Sequence, residues 1–371
     1  MRIAIVSDTH FGHSKWGEDA FVQGRTAMIE ASQKADVLLM PGDIFDLPNP
    51  TFSTVLDFIS IINEIKIPIL AICGTHEIKP KGEMNIVKFL HLAGFLVDIH
   101  RNPQEFDKDG QKVVIVGLGG VPEDLFKPAL ARIRFEPKKG AFNIFVFHQS
   151  LSEFIFSKNE EFASFEDLPP GFDLYVCGHV HKKKEAYGGK LIIPGSTVLT
   201  QMKKDEEGEK GYIIYDTKTR NAEFFPIKTR PFFFREIFFD NGEPQQIEDE
   251  IKRTVREILK SNEGVKPIIK LFLSGTMREG LTNADVTIPN FEEAFVFIDN
   301  SIESSSFAKK VNAIRMMISE KMSISETSLR ILREHLKMSG VEASDLKELL
   351  EKLCDGENVD IIKYLKEVKN D

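Results

Sequence analysis

Five apolar runs in the first half of this 371-residue chain end in side chains that bind metal ions. "RIAIVSDTH" closes on Asp8 and His10, "DVLLMPGD" on Asp43, and "ILAICGTHE" on Thr75, His76 and Glu77. "NIFVFHQ" closes on His148 and "DLYVCGHVH" on His179 and His181. A lone histidine beside an apolar run is usually a hydrogen-bonded structural residue, and Gly-Asp is a common turn. The joint pattern carries the weight, because imidazoles and carboxylates recur at the end of one buried segment after another. Such a set suits phosphoester hydrolysis by two divalent cations about 3.5–4 Å apart, with a shared carboxylate, flanking His and Asp ligands and an open face for substrate. Asp43 is the natural bridge, since Gly42 lets the backbone turn sharply beneath it. Water held between two cations loses its proton readily and becomes the nucleophile, and a neighbouring imidazole can protonate the leaving alkoxide. His/Asp ligation favours manganese, iron or zinc over copper.

Ligands this far apart in sequence must be brought together by strands, because open α/β sheets gather their sites outside the carboxyl ends. Several of the runs are apolar throughout, which predicts strands buried on both faces. Between them, "FVQGRTAMIEASQKA" and "STVLDFISIINEI" repeat apolar residues at three- and four-residue spacing, the helical period. The expectation is a layered α/β (α+β) domain over residues 1–230. At "TRPFFFREIFFD" the character changes. "QQIEDEIKRTVREILKS" sets Ile247, Ile251, Val255, Ile258 and Leu259 on one helix face, and "PIIKLFLSG" and "FEEAFVFIDN" read as strands, giving a small α/β domain over 231–300. "NSIESSS" reads as a linker. Residues 301–371 read as linker and charged helical tail, with Leu346, Leu349, Leu350 and Leu353 in one stripe and Ile361, Ile362 and Leu365 in another. That tail is either a packed terminal helix pair or a tethered partner-docking element.

The length exceeds the ~100–200 residues of one domain, and 42% hydrophobic with 28% charged residues is ordinary for a globular protein. The apolar runs fall short of the ~20 residues that span a bilayer. "MRIAIV" leads straight into the first motif, so it reads as a strand and not a signal. Three cysteines, Cys73, Cys177 and Cys354, with no CxxC pair give neither a disulfide framework nor a zinc knuckle. The chain reads as cytoplasmic, with no membrane partner. A net charge of −9 argues against a uniformly basic surface that coats nucleic acid, yet a cation-filled acidic cleft still holds phosphate. Lys79 and Lys81 after "GTHE", and Lys182, Lys183 and Lys184 after "GHVH", are expected at the rim of that cleft as phosphate contacts. Solvated surface lysines are the alternative. His13 and Trp16 lie in the loop after the first motif and are candidates to touch a base or sugar, with His13 as a core or surface histidine the favoured alternative.

The succession "DTH", "GD", "GTHE", "FHQ" and "GHVH" resembles the calcineurin-like metallophosphoesterase superfamily. "SDTHFG", "GDIFD", "HQS" and "IPGSTV…EKGYIIYD", followed by "TRPF", resemble its SbcD-type branch, the meiotic recombination nuclease family. Those nucleases are subunits of a double-strand-break repair complex formed with an SMC-like coiled-coil ATPase. The resemblance implies a β-sandwich flanked by helices, a small cap domain, a homodimer, and DNA as substrate. It also implies manganese-dependent 3′-to-5′ exonuclease and single-strand endonuclease activity. One metal would be held by Asp8, His10, Asp43 and His181, the second by Asp43, the residue at Thr75, His148 and His179. His76 would be the leaving-group acid, with Glu77 orienting its imidazole. Two positions depart from the family. Thr75 stands where the family carries Asn, and a hydroxyl is shorter, stays protonated and is a poorer ligand. Asp46 stands where the nucleases often carry a His near the scissile phosphate. These departures keep two alternatives open: a phosphodiesterase or phosphatase on small esters, and a catalytically weak scaffold.

Overall fold

The computed structural model describes residues 1–132, 136–154, 162–262 and 264–304. The expected C-terminal helical stripes and Cys354 lie outside the described residues. Two six-stranded mixed sheets span residues 2–226. The first runs Asn221–Pro226, Gly211–Asp216, Arg2–Ile5, Val37–Met40, Ile69–Ala71, Val97–Asp98 in spatial order. The second runs Gln104–Lys108, Gln111–Leu118, Phe142–His148, Leu174–Gly178, Leu191–Ile193, Lys184–Ala186.

Alternation along the strands builds three apolar layers. Ile3, Ile5, Val37, Leu39 and Leu70 of the first sheet pack with Val113, Ile115, Ile144, Val146 and Val176 of the second. Their neighbours Ala4, Leu38, Met40 and Ala71 point the other way, onto Ala27, Met28, Phe58 and Ile61 of the helices Gly17–Ser32 and Phe52–Glu64. On the far side, Val116, Leu118, Phe145 and Phe147 meet Phe126 and Leu130 of the helix Glu123–Arg132. Both faces of each sheet are therefore covered, which is why these strands read as continuous apolar runs. Thr51 starts the Phe52–Glu64 helix by accepting the Thr54 N–H at 3.2 Å, and Asn85 starts Ile86–Leu92 by accepting the Lys88 N–H at 2.8 Å. The result is a sandwich of two sheets flanked by helices.

A third sheet has the order Phe232–Gly242, Ile268–Met277, Phe295–Ser304. The helix Pro244–Lys260 buries Ile247, Ile251, Val255 and Ile258, the stripe its periodicity predicts. Its last strand corrects one expectation. "NSIES" is strand and not linker, since Ile302 is buried and the ladder overrides the turn preference of Asn and Ser. The described residues divide into two compact units, one of Met1–Arg235, Glu257–Lys270 and Phe291–Phe297, the other of Glu236–Arg256, Leu271–Asn290 and residues 298–304. Among the described residues no helix is long and apolar enough to cross a membrane.

Candidate metal centre

Arg2–Ile5, Val37–Met40 and Ile69–Ala71 run parallel, as do Phe142–His148 and Leu174–Gly178. The loops leaving them continue the pairing: the N–H of Asp8 donates to the Gly42 carbonyl at 3.3 Å and that of His10 to the Asp43 carbonyl at 3.1 Å. Asp8, His10, Asp43 and His179 adopt left-handed backbone, with φ of 52°, 46°, 47° and 75°. Each such conformation costs a non-glycine residue on the order of 1 kcal/mol or more, so the surrounding structure must enforce it. Gly42 and Gly178 let the site close, because a Cβ at either position would collide with His148 Nδ1.

Among the described residues three side-chain groups could hold a cation, one of them His10, Asp46 and His76, and the other two match the expected ligands. Asp8, His10 and His181 form the first, and Asp43, His148 and His179 the second, with the ligand atoms of each group within 4.8 Å of one another. In the first, Nε2 of His10 and of His181 lie 3.4 Å apart, and His181 Nε2 is 3.6 Å from Asp8 Oδ1. The Asp8 carboxylate accepts the Ser7 hydroxyl and, at 3.1 and 3.2 Å, the N–H of His179. It also reaches toward the second group, where His148 Nε2 is 4.0 Å from Asp8 Oδ1. Asp43, expected as the bridge, makes its contacts on the second side: Oδ2 is 2.9 Å from His148 Nε2 and 3.3 Å from Thr75 Oγ1, and Oδ1 accepts the His76 N–H at 2.8 Å.

The site fits cations. His148 donates Nδ1–H to the Pro41 carbonyl at 2.7 Å, which leaves Nε2 as the ligand atom. That nitrogen is buried without a hydrogen bond, 2.9 Å from Asp43 Oδ2 at ion-pair distance. Cys73 and Cys177 supply no competing thiolate, because burial holds both thiols far above their ordinary range. Burial would raise the Asp43 carboxyl, yet the imidazoles of His148, His10 and His76 hold it well below the usual carboxylate range. Conversely, burial would lower His148, and the Asp43 carboxylate outweighs it and pushes the imidazole up to about 9. Burial and the charge of His148 push His179 down to about 4, so this imidazole is a neutral ligand at physiological pH.

Thr75 is brought into the second group, with Oγ1 3.3 Å from His179 Nδ1 as well as from Asp43. His76 stands at the mouth with its side chain 45% exposed, and donates Nδ1–H to the Asp46 carbonyl at 2.8 Å. Glu77 does not orient that imidazole, contrary to expectation. Its two oxygens accept the N–H groups of Phe45 at 2.9 Å and Gly74 at 2.8 Å, so the carboxyl group staples two ligand loops together. Burial first and then Asp43 push it up to about 8. Asp46 takes the orienting role. Its Oδ1 lies 3.1 Å from His10 Nδ1 and 3.6 Å from His76 Nδ1. Despite burial, the His10 hydrogen bond and the nearby imidazoles hold the Asp46 carboxyl below its usual range.

The lysines are divided. Lys79 is engaged by Asn49 and, at 3.9 Å, by Glu83, while the ammonium groups of Lys183 and Lys184 sit 3.6 and 4.0 Å from the ring centres of Phe224 and Phe154. Lys81 and Lys182 are exposed. Trp16 is not placed to meet a base, since it is buried with Val198, Leu199, Phe232 and Ile268. His13 Nδ1 accepts the Trp16 N–H at 3.1 Å and so shapes that loop. Sequence reasoning missed Thr200 and Glu206, which stand behind His181. A buried Glu–Lys pair four residues apart, Glu206 and Lys210, was their only local signal.

Residues 1–183 match the calcineurin-like phosphoesterase family. The chain is 24% identical to the DNA double-strand break repair protein Mre11 of Sulfolobus acidocaldarius, over 99% of this chain and 98% of that protein. To the Mre11 of Sulfurisphaera tokodaii it is 25% identical, over 96% and 98%. To Exonuclease subunit 1 of phage T4 it is 24% identical, over 62% and 68%. With ligand groups at the strand ends and the family match across them, the chain carries a calcineurin-like metallophosphoesterase domain and is a metal-dependent hydrolase.

Proposed function

We propose that this protein is a two-metal DNA nuclease of double-strand-break repair. The observation that carries the reading is the convergence of Asp8, His10 and His181 beside Asp43, His148 and His179 at four strand ends. Similarity to repair proteins over nearly their whole length supports DNA as the substrate. Bound there, two divalent cations would supply a water of lowered pKa and polarise the phosphate. The thiolate-free donor set suits manganese, our choice of metal. Asp8 and Asp43 supply the buried negative charge that the cations need, with Asp43 as the shared ligand.

His76 is the proton donor to the leaving alkoxide. Its Nδ1–H is committed to the Asp46 carbonyl, so it can deliver a proton from Nε2 only as the imidazolium. The Asp46 carboxylate lies 3.6 Å from that Nδ1. Lys81 and Lys182 are exposed, which supports them as phosphate contacts.

Further features fit a homodimer. Phe52, Leu56, Met84, Phe89 and Leu92 are 90%, 64%, 53%, 49% and 63% exposed. All but Leu92 line a groove of about 440 Å³ between the helices Phe52–Glu64 and Ile86–Leu92. An apolar surface of this kind suits a second copy of the chain. The proposed SMC-like ATPase partner falls to residues 301–371, almost all outside the described residues.

The test compares duplex DNA, single-stranded DNA and bis(p-nitrophenyl) phosphate with manganese. Manganese-dependent release of nucleotides from DNA is expected. Turnover of the small ester with none on any DNA would overturn the nuclease reading, and turnover of nothing would favour the scaffold.

A further inference from the structure

We infer that Thr200 and Glu206 are positioning residues for the first ligand group, acting through His181. The inference rests on the two-metal reading and deepens it. His181 presents Nε2 to His10 and Asp8, and its other nitrogen, Nδ1, lies 2.5 Å from Thr200 Oγ1. The same hydroxyl lies 3.4 Å from Glu206 Oε1. An ionised carboxylate only accepts, so the Thr200 proton points to Glu206 and a hydroxyl lone pair faces His181. Donation then runs from His181 Nδ1–H to Thr200 and on to Glu206, and Nε2 keeps its lone pair for a cation. It is the histidine–carboxylate pairing that commonly backs a metal ligand, with a hydroxyl inserted between the two.

The carboxylate is fixed from several sides. Glu206 is 5% exposed and accepts the N–H of Thr200 at 3.0 Å, the N–H of Gln201 at 2.7 Å and the ammonium of Lys210 at 3.3 Å. Lys210, itself buried, also donates to Ser196 Oγ at 2.7 Å, and the N–H of Ser196 donates to the His181 carbonyl at 3.1 Å. Ring and backbone of His181 are thus tied to one buried ion pair. Lys210 keeps Glu206 from being an uncompensated buried charge. A carboxylate that merely stapled its loop would need the two backbone N–H groups and Lys210. It would not need a hydroxyl between itself and an imidazole, and the inference turns on that hydroxyl.

The test uses the full chain carrying Thr200→Val, Thr200→Ser or Glu206→Gln, with manganese alone as the probe. Nitrogen-15 histidine spectra of the metal-free protein read the His181 tautomer, assigned by its disappearance in His181→Gln. Calorimetry reads manganese binding. The parent is expected to show Nδ1–H. Thr200→Val should shift the ring toward Nε2–H and lose about 10–100-fold in manganese affinity at one of two sites. Thr200→Ser should restore both readouts, and Glu206→Gln should move them as Thr200→Val does. Parent-like tautomer and affinity in Thr200→Val overturn the inference, as does failure of Thr200→Ser to restore them. Should Thr200→Val not fold, Glu206→Gln decides by the same readouts. A parent chain that binds fewer than two manganese ions overturns the two-metal reading instead, while the metal-free tautomer still decides the relay.

Discussion

The two ligand groups are built on the same plan but are held differently. In the first, each imidazole is backed by a side chain from elsewhere, Asp46 behind His10 and Thr200 behind His181. In the second, His148 is backed by the Pro41 carbonyl, and Thr75 lies against His179. A side-chain support can be removed by one substitution that spares the ligand, whereas a backbone carbonyl cannot. The first group is therefore tunable from behind. The second is rigid, and its adjustable parts are Thr75 and the proton on His148.

The largest expected effect separates both groups from the proton donor. His76→Gln should lose on the order of 10²–10⁴-fold in turnover and still bind two manganese ions by calorimetry. Loss of an ion in that variant would place His76 among the ligands and break the division. Next comes pH. With His148 near 9, manganese must displace a proton from the second group, so affinity there should rise about tenfold per unit between pH 7 and 9. Titrations in buffers of different ionisation enthalpy should record about one proton released; no release would refute the assignment.

In the metal-free protein the same shift governs stability. The folded value of His148 lies above its ordinary 6.5, so its contribution is complete below pH 6.5 and lost as pH rises through about 9. Glu77, raised from 4.5 to about 8, adds a loss between those values. Chemical denaturation should therefore show declining stability from pH 7 to 9, above the range in which the depressed His179 acts in the opposite sense, and a flat profile there would contradict both shifts. The smallest effect sharpens the contrast at its weak point. Thr75→Asn is expected to raise manganese affinity in the second group by about tenfold and leave the first unchanged. A lower affinity would mean that Thr75 is not a weak substitute for an amide.

The ligands were legible because their signal is local: a run of buried side chains followed at once by Asp or His, as in "IAIVSDTH" and "NIFVFH". The strands follow for the same reason. The supports were not legible, because their partners meet only in three dimensions. Asp46 is 36 residues from His10, and Phe45 is 32 from Glu77. Glu77 beside His76 suggested an orienting carboxylate, yet neighbours in sequence on a turn point apart, and Glu77 turned inward to two amides. Trp16 misled in the opposite direction, since a tryptophan in a polar loop gives no hint of the apolar cluster that receives it.

The four left-handed residues carry a consequence for how such a centre can change over time. Aspartate and histidine are among the few side chains that tolerate positive φ without glycine's freedom, and they are also the donors that a hard or borderline cation accepts. At Asp8, His10, Asp43 and His179, chain geometry and coordination chemistry thus select from nearly the same small alphabet. Thr75 is absent from that constrained set, so backbone geometry places no such demand on its side chain.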